Sequence, residues 1–252
     1  MGKISARIVH IDAIRGLMIL LVIYWHLFCF LSPVSTTVIL KTLQHFRMPL
    51  FFFIAGYFMY SDNYSLELLK KRGTNRPLKQ LYPTLLLGFV FCLTFNLPIY
   101  PESVFDPFKR GYWFTYVSVE MFFLVIPPLV ILSDRGVARA WKALYLFAIC
   151  IFIEIIHYTD ALSHDVSGFL SFVQIGDYFP YLIFGMAAKM YAGQFEKISS
   201  SVYWLIGCLV LFFIINKYGD IYPPMSAPGV ARDIILAFTG IIIVNALFFY
   251  IY

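Results

Sequence analysis

The chain has 252 residues, of which 61% are hydrophobic and only 13% charged. A soluble domain carries about 25% charged residues, so this composition excludes a water-soluble globular protein. The net charge of +5 sits between long apolar runs, where it marks membrane topology rather than a nucleic-acid surface.

Met1–Ile11 is a short basic tail carrying Lys3, Arg7 and His10. The apolar run that follows continues past signal-peptide length and has no small-residue cleavage site after it. A bilayer core takes about 20 apolar residues per helical span, with shorter runs tolerated by snorkelling. Eight runs are predicted to span: Ala13–Leu31, Met48–Tyr60, Leu81–Leu97, Tyr112–Leu132, Ala143–His157, Tyr178–Tyr191, Val202–Asn216 and Ile234–Tyr252. The runs are continuous rather than alternating, so they are helices and not barrel strands. The expected fold is an all-α polytopic transmembrane bundle, one domain over residues 1–252, with no internal repeat or low-complexity tract.

Orientation follows from the Lys and Arg distribution. With the N-terminus in the cytoplasm, Lys41, Arg47, Lys109, Arg110, Lys217 and Arg232 lie outside. That leaves 13 of the 19 Lys and Arg (19 minus 6) inside, the bias expected of a cytoplasmic N-terminus. The last run stops at Tyr252 with no polar tail, which leaves open a C-terminal truncation or a short natural form. Cys29, Cys92, Cys150 and Cys208 each sit alone inside an apolar run, the pattern of packing residues rather than a disulfide framework or metal knuckle.

An ionisable group inside a span costs roughly 2.5–3.5 kcal/mol and marks a functional position by default. The first span holds Asp12, Arg15 and His26. Arg15 and His26 are eleven residues apart, about 1100° of helix, which is about 20° from three full turns and about 16 Å of rise. Both side chains therefore leave one face, Arg15 near the cytoplasmic boundary and His26 well towards the other side. Arg15 can snorkel and His26 can bond a neighbouring helix. Equally, the two can line a cavity in which Arg15 holds an anion and His26 exchanges a proton.

In the second span, Pro49 is expected in the first helical turn, Gly56 at a close helix contact, and Arg47 at the outer rim, either as an interfacial residue or as a contact to a substrate. The inner loop Asp62–Gln80 holds Lys70, Lys71, Arg72, Arg76 and Lys79, either an anchor for anionic lipid or a phosphate site with Arg72 and Arg76 as bidentate donors. Glu120 lies eight residues into the fourth run, where it must be protonated, paired or facing a polar cavity. Glu154 and His157 form a single E-x-x-H pair; a di-iron bundle needs two, so no metal site is expected. The prolines cluster at the span ends as these are drawn.

Three segments resemble the membrane acyltransferase-3 family, including its fucose O-acetylase and O-antigen acetyltransferase members. Ile11-Asp12-Ala13-Ile14-Arg15-Gly16, with His26 following, looks like the family's R-x10-H signature. Arg47-Met48-Pro49-Leu50-Phe51-Phe52-Phe53-Ile54-Ala55-Gly56-Tyr57 is similar to its MPLFFFISGY segment. Trp113-Phe114-Thr115-Tyr116-Val117-Ser118-Val119-Glu120-Met121-Phe122-Phe123 is similar to a WSLSVEEQFY stretch, and Phe184-Gly185 echoes a later element. The resemblance departs in two places. Family members have about ten spans, and the family's R-x-x-R pair has no clean match beyond Arg76-Pro-Leu-Lys79 and Arg72.

The resemblance implies a bacterial inner-membrane O-acyltransferase. It would move an acyl group, typically acetyl from cytoplasmic acetyl-CoA, to a hydroxyl of a cell-surface glycan or its lipid-linked saccharide precursor. Its expected partners are acyl-CoA, that acceptor and membrane lipids, with no nucleic acid and no metal. It points to His26, Arg15 and Glu120 as catalytic, to Arg15, Arg72, Arg76 and Lys79 at the coenzyme A phosphates, and to Arg47 and Trp113 at the acceptor. The rival class is a transporter or channel with an Arg/His/Glu pathway; repeated halves and Gly/Pro-broken midspan helices would mark one, and the sequence pattern shows neither. A non-catalytic membrane anchor is a third.

Overall fold

The computed structural model describes residues 9–31, 38–94, 113–159, 161–218 and 227–251. Among these residues every regular element is an α-helix: α1 Val9–Leu31, α2 Val38–Met59, α3 Leu66–Thr94, α4 Trp113–Asp134, α5 Arg139–Thr159, α6 His164–Phe169, α7 Phe172–Met190, α8 Ala192–Ser199, α9 Val202–Tyr218 and α10 Ala227–Ile251. The chain divides into two compact units, Met1–Phe58 with Phe184–Tyr252, and Met59–Ile183.

In the first unit α1 packs on α10, and α10 on α8 and α9. The stripe Ile11, Ile14 and Met18, at steps of three and four, forms the buried side of α1, as the 3.6-residue period requires. Cys208 and Phe212 of α9 meet Leu236 and Ile243 of α10, with Phe46 of α2 packed against them. Leu50, Phe52, Phe53 and Ile54 are buried, so two rings of the Phe triplet are core. Gly185 of α7 lies so close to α2 that a Cβ there would collide with the Phe53 carbonyl; only glycine permits that backbone approach.

In the second unit α3 packs on α4 and α4 on α5. Val117, Met121, Phe122, Val125, Ile126 and Leu129 make α4 its buried element. The Tyr145 hydroxyl of α5 donates to the Leu124 carbonyl at 3.2 Å, which satisfies a polar group that burial would otherwise penalise. At the surface Arg139 meets Asp62 at 3.2 Å.

Four helical stretches are long and apolar enough to cross a bilayer: His10–Phe28, Trp113–Asp134, Arg139–Thr159 and Pro228–Ile251. A fifth arises if α8 and α9, bent by 71°, form one broken span. These correspond to the first, fourth, fifth, eighth and seventh expected runs. The other three fall within α2, α3 and α7, apart from residues 95–97, which lie outside the described residues, Tyr60, which follows the end of α2, and Tyr191, which follows α7 in a turn.

Three expectations are corrected. Pro49 is buried in the interior of α2, not in its first turn; the helix starts at Val38, and packing overrides the loss of one backbone bond to the His45 carbonyl. Residues 66–80 are not loop but the first half of α3. The Ser65 hydroxyl accepts from the Leu68 N–H at 3.1 Å and Glu67 sits in the first turn, so the start of α3 is capped and its dipole complemented. Prolines are not confined to span ends, since Pro127 and Pro128 lie inside α4 and Pro180 inside α7. Each of these helices nevertheless runs on past its prolines.

Candidate active site

α1 is unbroken from Val9 to Leu31, so the eleven-residue interval from Arg15 to His26 keeps its helical geometry and both residues lie on one face, about 16 Å apart along the axis. Both are exposed, beside the buried stripe rather than within it. The Arg15 guanidinium lies 5.9 Å from the centre of the Phe58 ring. His26 Nδ1 is 2.8 Å from the Val22 carbonyl oxygen. A carbonyl only accepts, so Nδ1 carries the hydrogen and the neutral ring keeps its lone pair on Nε2. This bond selects the tautomer a general base needs.

Arg47 joins the second motif to the first. Its guanidinium sits 4.3 Å over the Trp25 ring, with Nε and Nη1 shut away from solvent. A desolvated cation over an indole face is worth about 2 kcal/mol, enough to hold α1 at the residue preceding His26. Arg47 is thus partly buried on α2. At the residue after Gly56, Lys189 of α7 places its ammonium 4.8 Å from the centre of the Tyr57 ring.

The second unit carries the other expected residues. Glu120 points Oε2 into a fully buried position, among buried Val117, Ser118, Val119, Met121 and Phe122. Trp113 opens α4 and stacks on Tyr178 of α7 at 5.4 Å and 17°. Arg72, Arg76 and Lys79, spaced four and three apart, fall on one stripe of α3; Lys79 is exposed, and the side chains of Arg72 and Arg76 lie outside the described residues.

Two constellations were not foreseen as sites. His157 Nε2 lies 3.5 Å from Asp177 Oδ1, so His157 engages α7, and Glu154 Oε1 is buried. His45 Nδ1 lies 3.3 Å from Asp233 Oδ1, and the Arg232 Nε–H donates to the same oxygen at 2.8 Å, tying α2 to α10. The available signal was an ionisable residue within or just ahead of an apolar run; their pairing is tertiary.

A chain whose regular elements are all helices among the described residues, with stretches of bilayer length, is an integral membrane protein. The family model described as an acyltransferase domain matches residues 8–252, and the chain belongs to that acyltransferase-3 family. It matches no curated protein and no solved structure.

Proposed function

We propose that this membrane acyltransferase moves an acetyl group from cytoplasmic acetyl-CoA to a hydroxyl of a cell-surface glycan or its lipid-linked precursor. In this reading the chain lies in the bacterial cytoplasmic membrane with its N-terminus inside and about eight spans. The observation that carries the reading is the single face of α1, with a cation at one level and, about 16 Å along, an imidazole whose Nδ1 is tied to Val22.

Arg15, with Arg72, Arg76 and Lys79 on α3, binds the coenzyme A phosphates by charge-assisted hydrogen bonds. The pantetheine arm has the length to bring the thioester up α1 to His26. His26 Nε2 takes the proton of the acceptor hydroxyl as that oxygen attacks the thioester carbon. The C–S bond then breaks, and the imidazolium returns the proton to the departing thiolate, so the ring ends neutral. Glu120 supports the charge on the imidazolium or orients a water. Arg47 and Trp113 serve the acceptor, Arg47 through Trp25 and Trp113 through its aromatic face.

The test is radiolabelled acetyl-CoA with purified protein and a glycan acceptor, comparing the wild type with His26→Ala, Arg15→Ala and Glu120→Ala, each checked for membrane insertion. Full transfer by the His26 variant removes it from the chemistry. Failure of the wild type to bind or turn over acetyl-CoA removes the donor assignment.

A further inference from the structure

At the end of the first unit that carries the start of α1, five hydrogen-bonding side chains surround a small pocket: His10, Tyr57, Glu196, Ser199 and Asn245. Phe195 and Phe249 form its apolar wall. Ala192, Phe195, Glu196 and Ser199 are spaced three, one and three apart, so one face of α8 forms its floor. The hole has room for a single water or a dehydrated alkali cation and nothing larger.

Two oxygens make this pocket unusual. Asn245 is 1% exposed and Ser199 4% exposed. The Asn245 amide N–H donates to the Ile241 carbonyl at 2.8 Å, which leaves Oδ1 as a pure acceptor. Oδ1 and the Ser199 Oγ are both fully buried with no hydrogen-bond partner. Each unpaired buried polar group costs about 1–3 kcal/mol, and two on side chains that line one cavity call for a shared ligand. Asn245 Oδ1 can satisfy itself only against a hydrogen donor or a positive charge.

The electrostatics favour positive charge. Ser199 is the last residue of α8 and Tyr57 lies in the last turn of α2, so two helix C-termini, each equivalent to about half a negative charge, point here. Glu196 adds the one carboxylate of the lining. Two groups oppose it: the N-terminal end of α1, whose second and third residues His10 and Ile11 line the hole, and Lys189, whose ammonium is engaged over the Tyr57 ring at 4.8 Å. One carboxylate with neutral oxygens suits a monovalent ion better than a divalent one, which gathers several carboxylates. Half-helix C-termini hold such ions in other membrane proteins, and α8 is the short arm of a pair bent by 71°.

We propose that this pocket is a site for a monovalent alkali cation, Na⁺ or K⁺, held by Asn245 Oδ1, Ser199 Oγ and the Glu196 carboxylate. The site lies apart from Arg15 and His26 in role and goes beyond the acyl-transfer reading. The ion fastens α8 to α10, alongside the Tyr250 hydroxyl, which donates to the Ser200 carbonyl at 2.5 Å.

The test is thermal unfolding of the full chain in detergent, followed by tryptophan fluorescence, in NaCl, KCl or choline chloride at fixed ionic strength. Choline is too large for the hole and serves as the salt control. The expected result is a saturable rise in Tm with Na⁺ or K⁺ and none with choline. Ser199→Ala and Glu196→Gln should each raise the half-saturating concentration about tenfold, as loss of about 1.4 kcal/mol of binding predicts. Asn245→Leu should abolish the response; if it does not fold, the two milder variants carry the test. Equal response to choline assigns the pocket to a bridging water and overturns the proposal. So does a wild type that ignores both alkali ions, or folded variants that keep the wild-type curve. None of these outcomes depends on acyl transfer.

Discussion

Replacing His26 by Asn separates the base from the anchor. In the structure Nδ1 of His26 is bound to the Val22 carbonyl at 2.8 Å, and the side-chain amide of Asn presents an N–H close to the position of Nδ1. The hydrogen bond to the preceding turn is therefore kept, and the group is exposed, so no core contact is lost. What disappears is the lone pair on Nε2, because an amide has no basic nitrogen. A positioned general base contributes about 10²–10⁴-fold, which corresponds to about 3–5 kcal/mol of transition-state stabilisation. His26→Asn should accordingly lower kcat for acetyl transfer by at least about a hundredfold, with the KM for acetyl-CoA and the thermal unfolding temperature unchanged. His26→Ala should fall equally far. If Asn at this position retains more than a tenth of wild-type turnover in purified protein, proton transfer by Nε2 is not part of the reaction. If KM rises while kcat holds, His26 is a binding residue instead.

The other predictions rest on separate contacts. Gly185→Ala drives a Cβ into the Phe53 backbone carbonyl, and overpacking of this kind costs about 1–3 kcal/mol or more; denaturation of the detergent-solubilised chain should show a clear loss, and an unchanged curve would contradict the close approach of α7 to α2. Arg47→Lys loses the planar stack on Trp25 at 4.3 Å, so acetyl transfer should fall about tenfold, while Trp25→Phe should retain most of it. The combined change Arg72→Gln, Arg76→Gln and Lys79→Gln should raise the KM for acetyl-CoA about tenfold or more, leave kcat in place and flatten the salt dependence of binding. Trp113→Leu should raise the acceptor KM and leave acetyl-CoA binding untouched; a matched loss in both would mean that the stack on Tyr178 is a structural support only.

The parts of this molecule that were legible from sequence are those set by local spacing. An apolar run of bilayer length declares a helix because unpaired backbone is intolerable in lipid, and the interval from Arg15 to His26 declares a shared face because helical pitch is fixed. Where the structure departs, nonlocal packing decides. The residues before Pro49 include Lys41, Gln44 and His45 and read as loop, yet α2 runs through them, because Phe46 packs against α9 and α10 and Thr42 meets Asn216 at 3.3 Å. The basic segment ahead of the third run reads as a connection because charge outweighs apolar periodicity there, although the Ser65 cap and Glu67 were visible helix signals.

Two of the helix-bridging charge contacts in the first unit follow the same logic. Arg47 against Trp25 and His45 against Asp233 each join α2 to a different neighbour, and residues 45 and 47, about 200° apart on the helix, point in nearly opposite directions. No spacing rule reveals a partner on another helix, so these pairs were invisible from sequence even though each ionisable residue was conspicuous. Their consequence is mechanical. α2 is held to α1 through one and to α10 through the other, so the position of His26, one residue after Trp25, is set by a helix that supplies no atom to proton transfer. A change at Arg47 should therefore act on turnover through the placement of Nε2, and restoring a flat cation-binding face at residue 25 should matter more than restoring its hydrophobicity.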